Sequence, residues 1–428
     1  MNGRAAGALH QRRGACPGLS APMPTGDGLL VRMMPAGPMA PNAFAELCAA
    51  AREHGNGTLE VTARGSLQVR GLTPQSAPRF ASAVAMLGIA AEGVPVIASP
   101  LEEPDAAIDA NRVAAELRCM LARARLALAA KVSVVVDGAP RLHLDALSAD
   151  VRLRAVGPRP LLWVGLGGDG ASATWLGTIR PDRASDAVLG LLEVLAAHGP
   201  AARAADVLRT DGIRAFDAAA DNCMERASDT PPPSRPPAEP IGLHPLRDGR
   251  LAVGVVPAFG HAHADTLREL TRIAAAHGAE TIRPAPPRAL LLVGLDPANA
   301  AAVVRAADAL GFVTQAADPR RRIAACPGAP ACASGLIPAR ALAATLVPAL
   351  ALAANALTGP DPVAIHISGC AKGCAHPRSA ALTVVGTEQG CAIIRDGSAR
   401  AAPCRHIDPA DLAAEVARLV VENGARHG

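Results

Sequence analysis

The sequence predicts an α+β protein built as a pseudo-two-fold pair of halves, and three observations lead to that prediction. Short strands and helices follow one another in the order βαββα twice along the chain. A proline-rich segment, 228–240, separates the two halves. A further α/β unit follows each repeat, and only the second copy continues into cysteines. Two copies are expected to pack together, because one copy alone leaves a sheet face and edges open.

The two repeats match element by element. The first contains a strand at 26–33, a helix at 41–54, strands at 58–64 and 66–72, and a helix at 74–87. The second contains a strand at 247–256, a helix at 264–277, two strand segments within 280–295, and a helix at 297–310. The pairs His54-Gly55 and His277-Gly278 align at the same offset as Gly71-Leu72 and Gly294-Leu295. The regular offset favours an internal duplication of structure.

The α/β units that follow the repeats also correspond. The first has a helix at 105–130, a buried strand at 131–138, further strands in 151–179 and a helix at 183–197. The second has a helix at 338–357, a strand at 362–369, two more strands and a helix at 409–421. Aligning VSVVVDG with VAIHISG puts Asp137-Gly138 opposite Ser368-Gly369. The domain prediction is therefore 1–98 for the N-terminal segment and first repeat, 99–227 for the first α/β unit without cluster, 228–240 for the linker, 241–318 for the second repeat, and 319–428 for the cysteine-bearing unit.

Composition excludes several classes of protein. Half of the 428 residues are hydrophobic, 2% are aromatic with no Tyr, and the formal net charge is +4. Nucleic-acid binding is not expected, because base stacking and phosphate neutralisation need more aromatic and basic residues. The apolar stretch 339–357 contains Arg340, Pro348 and Asn355, so a buried helix is expected there and no membrane crossing. No secretory signal is recognisable, and a cytoplasmic location is expected.

Lysine is rare in this chain. The 42 basic residues include only two lysines, Lys131 and Lys372. Where arginine has replaced lysine almost everywhere, a remaining lysine is a candidate for a position that needs a compact or titratable amine. Both lysines are therefore candidate functional residues.

Four cysteines form two spaced pairs: Cys326 and Cys332 are separated by five residues, and Cys370 and Cys374 by three. Glycine, proline and alanine surround each pair, which allows close backbone approach to a bulky inorganic group. Four thiolates from loops after strands suit a 4Fe–4S cluster, and Lys372 would offset its negative charge. Zinc is an alternative, although its sites usually have more closely spaced pairs than the first one here. Four unrelated core cysteines are a further alternative.

These motifs resemble the sirohaem-type nitrite and sulfite reductase superfamily. Within it, four segments resemble the precorrin-3B synthase family: RRGACPGLSAPMPTGDGLLVRM at 12–33, TARGSLQVRGL at 62–72, LAAKVSVVVDG at 128–138 and SGCAKGCAHP at 368–377. The resemblance spans nearly the whole chain. It implies ferredoxin-like half-repeats that form one domain, together with sulfite-reductase-type α/β cluster domains.

The resemblance also implies an activity. The family is expected to act as a monooxygenase in aerobic cobalamin biosynthesis, adding a hydroxyl from dioxygen to precorrin-3A and closing a γ-lactone to give precorrin-3B. The implied cofactors are a 4Fe–4S cluster on Cys326, Cys332, Cys370 and Cys374 and a mononuclear non-haem iron of unknown ligands, because a cluster lacks an open metal position. Sirohaem is a less favoured alternative. An external electron donor, NADH-linked or a ferredoxin, is the implied partner.

Binding a polycarboxylate macrocycle calls for several cationic side chains on one face. Arg64 and Lys131 are candidates because they match the family's anion-binding positions. Arg32 and Arg70 match no such position and are candidates only because they lie in strands next to Arg64. Reductases of the superfamily surround sulfite or nitrite with two arginines and two lysines. Here Ser133 replaces the second lysine, and the segment 93–98 lacks the expected arginine. Reduction of these anions is therefore the second interpretation, and a non-catalytic electron-transfer or zinc-stabilised protein is the third.

Other motifs are less informative. The glycine-rich segment 165–170 lies between two strands and is expected to be a hairpin turn, not a dinucleotide site. His261, His263 and Asp265 could imitate an iron site, but polar residues at a helix start are the simpler interpretation. Cys48 and Cys119 are expected in helix cores. Cys16 repeats the CPG of Cys326, and its role is open.

Overall fold

A computed structural model describes residues 17–138, 141–221, 224, 226–227, 232–352 and 363–427. Cys16 lies outside the described residues. The chain forms two compact units: the first comprises the described residues of Met1–Gly18 and Ala91–Ala238, and the second comprises Leu19–Ala90 and Glu239–Gly428. The second unit thus contains both βαββα repeats and the four clustered cysteines.

The strands and helices are numbered in chain order. The strands are β1 (Met23–Thr25), β2 (Gly28–Pro35), β3 (Thr58–Val61), β4 (Leu67–Leu72), β5 (Ala90–Ala91), β6 (Val96–Ala98), β7 (Val134–Asp137), β8 (Val151–Val156), β9 (Arg159–Leu166), β10 (Thr174–Ile179), β11 (Arg226–Ala227), β12 (Gly242–Pro245), β13 (Leu251–Val255), β14 (His261–His263), β15 (Thr281–Ala285), β16 (Ala289–Leu295), β17 (Ile323–Ala325), β18 (Ile365–Ser368), β19 (Ala380–Thr387), β20 (Gly390–Gly397) and β21 (Arg405–Ile407). The α-helices are α1 (Pro41–His54), α2 (Ser76–Leu87), α3 (Ala110–Ala124), α4 (Ala184–Ala197), α5 (Ala204–Asp211), α6 (Asp217–Asp221), α7 (Ala264–Ala276), α8 (Pro297–Ala309), α9 (Ala339–Leu352) and α10 (Leu412–His427).

The two repeats are ferredoxin-like halves, as predicted. The first sheet has the strand order β1-β2-β4-β3-β14 with β5 beside β2, and the second has the order β12-β13-β16-β15. Helices α1 and α2 belong to the first half and α7 and α8 to the second. Apolar residues from the helices and strands of both halves form one hydrophobic core, which includes Phe44, Leu59, Phe80, Leu270 and Leu292. The two halves therefore share a single hydrophobic core.

The first unit is built on a six-stranded sheet of order β11-β10-β9-β8-β7-β6. Helices α3 and α4 supply Val113, Leu117, Val188 and Leu191 to its core. The segment 165–170 lies in the connection between antiparallel β9 and β10, so the predicted hairpin is confirmed.

Two predictions about helix α3 were wrong. The helix covers Ala110–Ala124 only, not 105–130, because the Asp109 side chain caps its N-terminus and Arg125 ends it with a left-handed backbone. Cys119 is exposed, since the buried stripe of this helix passes through Val113, Leu117 and Leu121.

The cysteine-bearing part of the second unit contains a five-stranded sheet of order β17-β18-β19-β20-β21. Strands β17, β18 and β19 are parallel neighbours, whereas β20 and β21 continue antiparallel. Helices α9 and α10 pack together over a core containing Ile365, Ile367 and Val416. The parallel strands direct their carboxyl ends to one edge, where loops are free to carry function. No helix among the described residues has the length and apolar character needed to span a bilayer.

Candidate functional site

Two of the four clustered cysteines lie at the carboxyl ends of neighbouring parallel strands. Cys326 follows β17 and Cys370 comes two residues after β18, and the register pairs Ala325 with Ile367. The amide N–H of Gly369 donates to the Sγ atom of Cys326 at 3.0 Å. This contact fixes the end of one strand against the loop of the next. An N–H···S bond also stabilises negative charge on the sulfur.

Cys332 is brought to the same place by a tight loop. Its N–H donates to the Gly328 carbonyl at 2.7 Å, and its own carbonyl accepts from Gly335 at 2.8 Å. A Cβ atom at Gly369 would lie 2.9 Å from the Gly328 Cα and 3.2 Å from the Gly335 Cα. Glycine is therefore required where these three backbone segments meet.

Cys374 completes the group electrostatically. Desolvation raises the pKa of the Cys374 thiol, and negative charge on Cys370, Cys326 and Cys332 raises it further. The Lys372 ammonium lowers it, while the Nζ atom of this lysine is held 2.8 Å from the Ser334 hydroxyl. All four cysteines are free thiols. The two cysteine pairs thus converge in one part of the molecule.

The thiols are spread more widely than the ligands of one metal ion. Among the described residues, the group of three or more candidate ligand atoms within 4.8 Å of one another is Asp137, His143 and Asp145, so no three cysteine sulfurs are that close. Sulfurs around a single tetrahedral zinc lie about 3.8 Å apart, as follows from a Zn–S bond near 2.3 Å.

A polar row crosses the sheet face that is turned away from α1 and α2. The register places Arg32 opposite Gln68, Gln68 opposite Glu60, and Glu60 opposite His261. The Nε and Nη2 atoms of Arg32 donate to Gln68 Oε1 at 3.0 and 2.8 Å, and Gln68 Nε2 donates to Glu60 Oε2 at 2.8 Å. Alternation along the strands buries their other side chains in the hydrophobic core.

Glu60 is the electrostatic centre of this row. Its other carboxylate oxygen accepts from Arg340 Nη1 at 2.8 Å and lies 3.7 Å from Arg70 Nη1. Burial alone would raise the pKa of Glu60, but the charge and hydrogen bond of Arg340 and the nearby charge of Arg70 lower it below its ordinary value. Glu60 is therefore ionised and holds the arginines in place.

Arg70 connects this sheet to the cysteine loop. Its Nε and Nη2 atoms donate to the two carboxylate oxygens of Asp27 at 3.0 Å, and Nη2 also donates to the Ala331 carbonyl. The Gly26 N–H donates to the same carbonyl at 3.2 Å. Ala331, the residue before Cys332, is thus hydrogen-bonded directly to the sheet that carries the polar row. The Arg70 side chain is only 5% exposed, so its part in substrate binding stays a prediction.

The other predicted binding residues occupy more open positions. Arg64 is half-buried in the turn between β3 and β4, where its N–H donates to the Thr62 hydroxyl at 3.3 Å. Lys131 is exposed in the first unit, and within the described residues its side chain has no hydrogen bond or ion pair. Ser133, which replaces a superfamily lysine, is buried and donates its N–H to Asp150.

The first unit has a counterpart of the cysteine site without thiols. Ser99 follows β6, and its hydroxyl accepts from the Gly138 N–H at 2.8 Å, as Cys326 accepts from Gly369. Asp137 and Asp145 both bind the guanidinium of Arg235, with 2.7 Å between Arg235 Nη2 and Asp145 Oδ1. The positive charge facing Asp137 and Asp145 is therefore supplied by an arginine.

Sequence reasoning missed a buried histidine pair beside the cysteines. His366 is fully buried on β18, and neither ring nitrogen has a hydrogen-bond partner among the described residues. Burial, followed by the charge of His376, lowers the pKa of His366 to about 4. The two rings meet edge to face with centroids 5.7 Å apart. The alternation in VAIHISG, with its isoleucines in the core, was the signal that His366 faces the other side.

In the motif of His261, His263 and Asp265, only one of the two histidines lies at the helix start as predicted. His263 caps helix α7 by accepting from the Asp265 N–H at 3.3 Å, which confirms the prediction for that residue. His261 instead joins the polar row, and its Nδ1 atom is buried without a partner among the described residues. Burial and the charge of Arg340 lower the pKa of His261 to about 4, so the ring is neutral. Glu60 and Arg340 belonged to no motif that the sequence analysis identified.

Comparison with known proteins finds a family profile that matches the two repeats and a relative that matches nearly the whole chain. The family profile described as a nitrite/sulfite reductase ferredoxin-like half domain matches residues 21–87 and 244–310. A precorrin-3B synthase of Sinorhizobium sp is 38% identical over 429 residues, covering 98% of this chain and 90% of that protein. A sulfite reductase (ferredoxin) of Mycobacterium tuberculosis is 28% identical over 147 residues, covering 34% of this chain and 26% of that protein.

A solved structure shares the fold. The NirA protein of Mycobacterium tuberculosis matches with a TM-score of 0.72 and 21% sequence identity, covering 93% of this chain and 81% of that chain. The similarity extends through both α/β units as well as the two repeats, which the family profile alone does not cover.

Proposed function

Since the chain belongs to the precorrin-3B synthase family, we propose that this enzyme converts precorrin-3A into precorrin-3B with dioxygen as co-substrate. The observation that carries the proposal is 38% identity along 98% of the chain. Two features of the structure support it. The four converging thiols suit a reaction that needs electrons, and the arginines on the sheet face beside them suit a polyanionic substrate.

The reaction is a hydroxylation followed by ring closure. One oxygen atom of dioxygen enters the meso carbon between rings A and D, and the other leaves as water, which consumes two electrons and two protons. The ring-A acetate then closes a γ-lactone. The electrons must come from an external donor, NADH-linked or a ferredoxin, because the substrate itself does not supply them in a monooxygenase reaction.

Cys326, Cys332, Cys370 and Cys374 would hold a 4Fe–4S cluster. Their free thiols, their spacing and the glycine-lined backbone fit such a group. When bound, the cluster would supply one-electron transfer. The chain's own contribution is electrostatic: the Gly369 N–H and the Lys372 ammonium stabilise negative charge on the sulfurs.

A mononuclear iron is less easily accommodated. The compact group of candidate ligands in the described part of the chain is Asp137, His143 and Asp145. Arg235 already neutralises both carboxylates, and His143 Nε2 contacts the Pro236 carbonyl at 2.7 Å. This group does not fit an open iron site, and the proposed mechanism includes no step through it.

The cationic side chains would bind and orient substrate carboxylates. Arg32 is exposed and Gln68 fixes its guanidinium, so its remaining donors are preorganised for a carboxylate. Arg64 and Lys131 would add further contacts. Arg70 would act by positioning the loop of Cys332 against the same sheet.

The decisive experiment uses isotopically labelled dioxygen. Anaerobically purified protein, supplied with precorrin-3A and a reductant, is expected to give precorrin-3B carrying one labelled oxygen atom by mass spectrometry. Product whose hydroxyl oxygen comes from water would contradict the monooxygenase reaction.

Lys131 offers a residue-level test. Substitution Lys131→Arg keeps the charge but replaces a compact ammonium by a broad planar group. We expect KM for precorrin-3A to rise about tenfold, the loss of one charge-assisted hydrogen bond, while iron content stays unchanged. Lys131→Gln should raise KM further, and unchanged kinetics in both variants would remove Lys131 from the binding site.

Sirohaem-dependent reduction of nitrite or sulfite is the second candidate, favoured by the reductase relative and the fold match. Only two of the four expected anion-binding residues, Arg64 and Lys131, are present, and the buried Ser133 cannot replace a lysine. A reductase should purify with an intense tetrapyrrole absorption band and consume either anion. The proposed synthase should do neither.

A further inference from the structure

On the sheet face that carries the polar row, the arginines of the second unit outnumber the carboxylates. Asp27 forms a two-point ion pair with Arg70. Glu60 accepts from Arg340, and its charge also acts on Arg288. Once Arg70 is paired with Asp27, a single carboxylate faces Arg340 and Arg288. Arg32, which is held by the neutral Gln68, adds a further positive charge, so these arginines outnumber the carboxylates by two.

Arg288 differs from the other arginines of this group in its side-chain contacts. Among the described residues, its side chain has no hydrogen bond and no ion pair, although its surroundings are desolvated enough to lower its pKa. Arg288 is partly exposed and is not among the fully buried side chains without a partner, so its guanidinium is only partly withdrawn from water. A partly desolvated guanidinium without a hydrogen-bond acceptor is less stable than a paired one. Such a group is stabilised when an anion from outside the chain binds it.

The backbone around Arg288 is held in an uncommon conformation. Arg288 and Phe259 both have left-handed φ angles, 59° and 55°. A Cβ atom at Gly260 would lie 3.1 Å from both Cδ and Nη1 of Arg288, so the arginine side chain passes close to the Gly260 backbone. The Arg288 N–H donates to the Thr62 carbonyl at 3.2 Å, which fixes the turn. Non-glycine residues in this region are often retained for function.

His261 adds a neutral polar group to the same place. It lies opposite Glu60 in the sheet and follows Gly260 in sequence. Its Nδ1 atom is buried and has no partner among the described residues. His261 and Arg288 both interact electrostatically with Glu60 and Arg340, so the buried ring nitrogen and the arginine belong to the same polar group. A buried polar atom without a partner in the described part of the chain is a candidate contact for a ligand oxygen.

We propose that Arg288, with Arg340 and His261 beside it, forms an anion subsite that binds one carboxylate of the macrocyclic substrate. A carboxylate suits this subsite because a guanidinium contacts both of its oxygens in one plane. The inference deepens the proposed function and depends on it for the identity of the macrocycle. Arg288 acts here as a specificity-determining residue remote from the reacting carbon, so it contributes to binding and not to the chemical step.

The test compares Arg288→Gln with Arg79→Gln in the purified holoprotein. Arg79 is an exposed residue of α2 in the same unit, so its substitution removes the same charge from the other side of the sheet. The probes are uroporphyrin and coproporphyrin, which share a ring but carry eight and four carboxylates, with binding followed by fluorescence. The second measurement is KM and kcat with precorrin-3A.

Arg288→Gln is expected to weaken uroporphyrin binding about tenfold, coproporphyrin binding less, and to raise KM about tenfold with kcat nearly unchanged. Arg79→Gln should match the wild type. Arg288→Lys, which keeps the charge without the planar fork, should fall between them and serves as the test if Arg288→Gln does not fold. Arg288 variants that bind and turn over like Arg79→Gln would overturn the subsite.

The outcomes separate the two proposals. Wild-type turnover of precorrin-3A with unaffected Arg288 variants leaves the function and removes the subsite. Weakened uroporphyrin binding in Arg288→Gln, in a protein that does not turn over precorrin-3A, supports the carboxylate subsite and removes the function.

Discussion

The first unit and the cysteine-bearing part of the second unit have the same order and direction of strands, but different side chains follow those strands. Strands β6 to β10 of the first unit correspond in order and direction to β17 to β21 of the second. In both, a crossover helix joins the first two parallel strands, α3 in one and α9 in the other. Even the N–H donated by Gly138 to Ser99 has its equivalent in the N–H donated by Gly369 to Cys326.

The difference lies in what fills the space at the strand ends. In the second unit, the loops carry four thiols and small residues. In the first unit, Asp137 and Asp145 hold Arg235 of the proline-rich segment, and Arg154 and His143 contact the carbonyls of Pro233 and Pro236. One copy therefore presents a loop edge with four thiols, and the other uses the same edge to anchor the linker. The fold provides the place, and a few side chains decide its use.

Exchanging the first thiol for its counterpart should produce the largest effect. We expect Cys326→Ser to lose nearly all of about four iron atoms per chain, because a cubane needs each thiolate. The serine hydroxyl can still accept from Gly369, as Ser99 accepts from Gly138, so the chain should remain folded. Iron analysis and visible absorption measure the result, with Ser99→Ala as the matched control. Full iron content in Cys326→Ser would remove this residue from the cluster site.

The two glycines should differ in tolerance. A Cβ atom at Gly369 meets backbone Cα atoms of Gly328 and Gly335, which cannot move without shifting the cysteine loops. At Gly138 the nearest atom is the Ile108 Cγ1 at 2.9 Å, which can rotate away, whereas the Ala110 Cβ at 3.1 Å and the Ile108 carbonyl oxygen at 3.2 Å need a small backbone adjustment. Gly369→Ala is expected to reduce iron content severalfold. Gly138→Ala should leave iron unchanged and lower the free energy of unfolding by about 1–2 kcal/mol. Equal iron loss in both variants would argue against a specialised Gly369.

Removing Arg235 tests the linker contact. Arg235→Gln leaves the fully buried Asp137 side chain without its main counter-charge, which should lower the free energy of unfolding of the first unit by about 3 kcal/mol. Limited proteolysis is expected to cleave within 228–240 at least tenfold faster, while iron content stays constant. Arg321→Gln, which removes an exposed ion pair with Glu239, is the control and should change stability by less than about 1 kcal/mol. Unchanged cleavage in Arg235→Gln would show that other contacts hold the linker.

Lys372 should have the smallest effect. Its ammonium lowers the pKa of Cys374 and would stabilise the extra negative charge of a reduced cluster. Lys372→Gln is therefore expected to make the reduction potential more negative, on the order of tens of millivolts. Redox titration followed by electron paramagnetic resonance measures the shift, and Lys372→Arg should retain the wild-type value. A more positive potential in Lys372→Gln would have the wrong sign for this interpretation.

Much of this architecture is readable from local sequence. The alternation in TLEVTAR and SLQVRGL and the helical spacing in 41–54 and 264–277 predicted the elements closely, because strand and helix periods depend on neighbouring residues. Prediction failed at the ends of α3, where Asp109 and Arg125 set the limits, and for Cys119, whose direction depends on which helix face the core uses.

The sequence by itself determined the two repeats, the two cysteine pairs and the resemblance to a family, since each is a pattern among residues near one another along the chain. Only the tertiary structure decided that Arg340 meets Glu60 across 280 positions, that Arg235 neutralises Asp137, and that Arg288 lies near the charges of Glu60 and Arg340. Ion pairs and hydrogen bonds act over a few ångströms in space, and folding alone determines which distant residues come within that range.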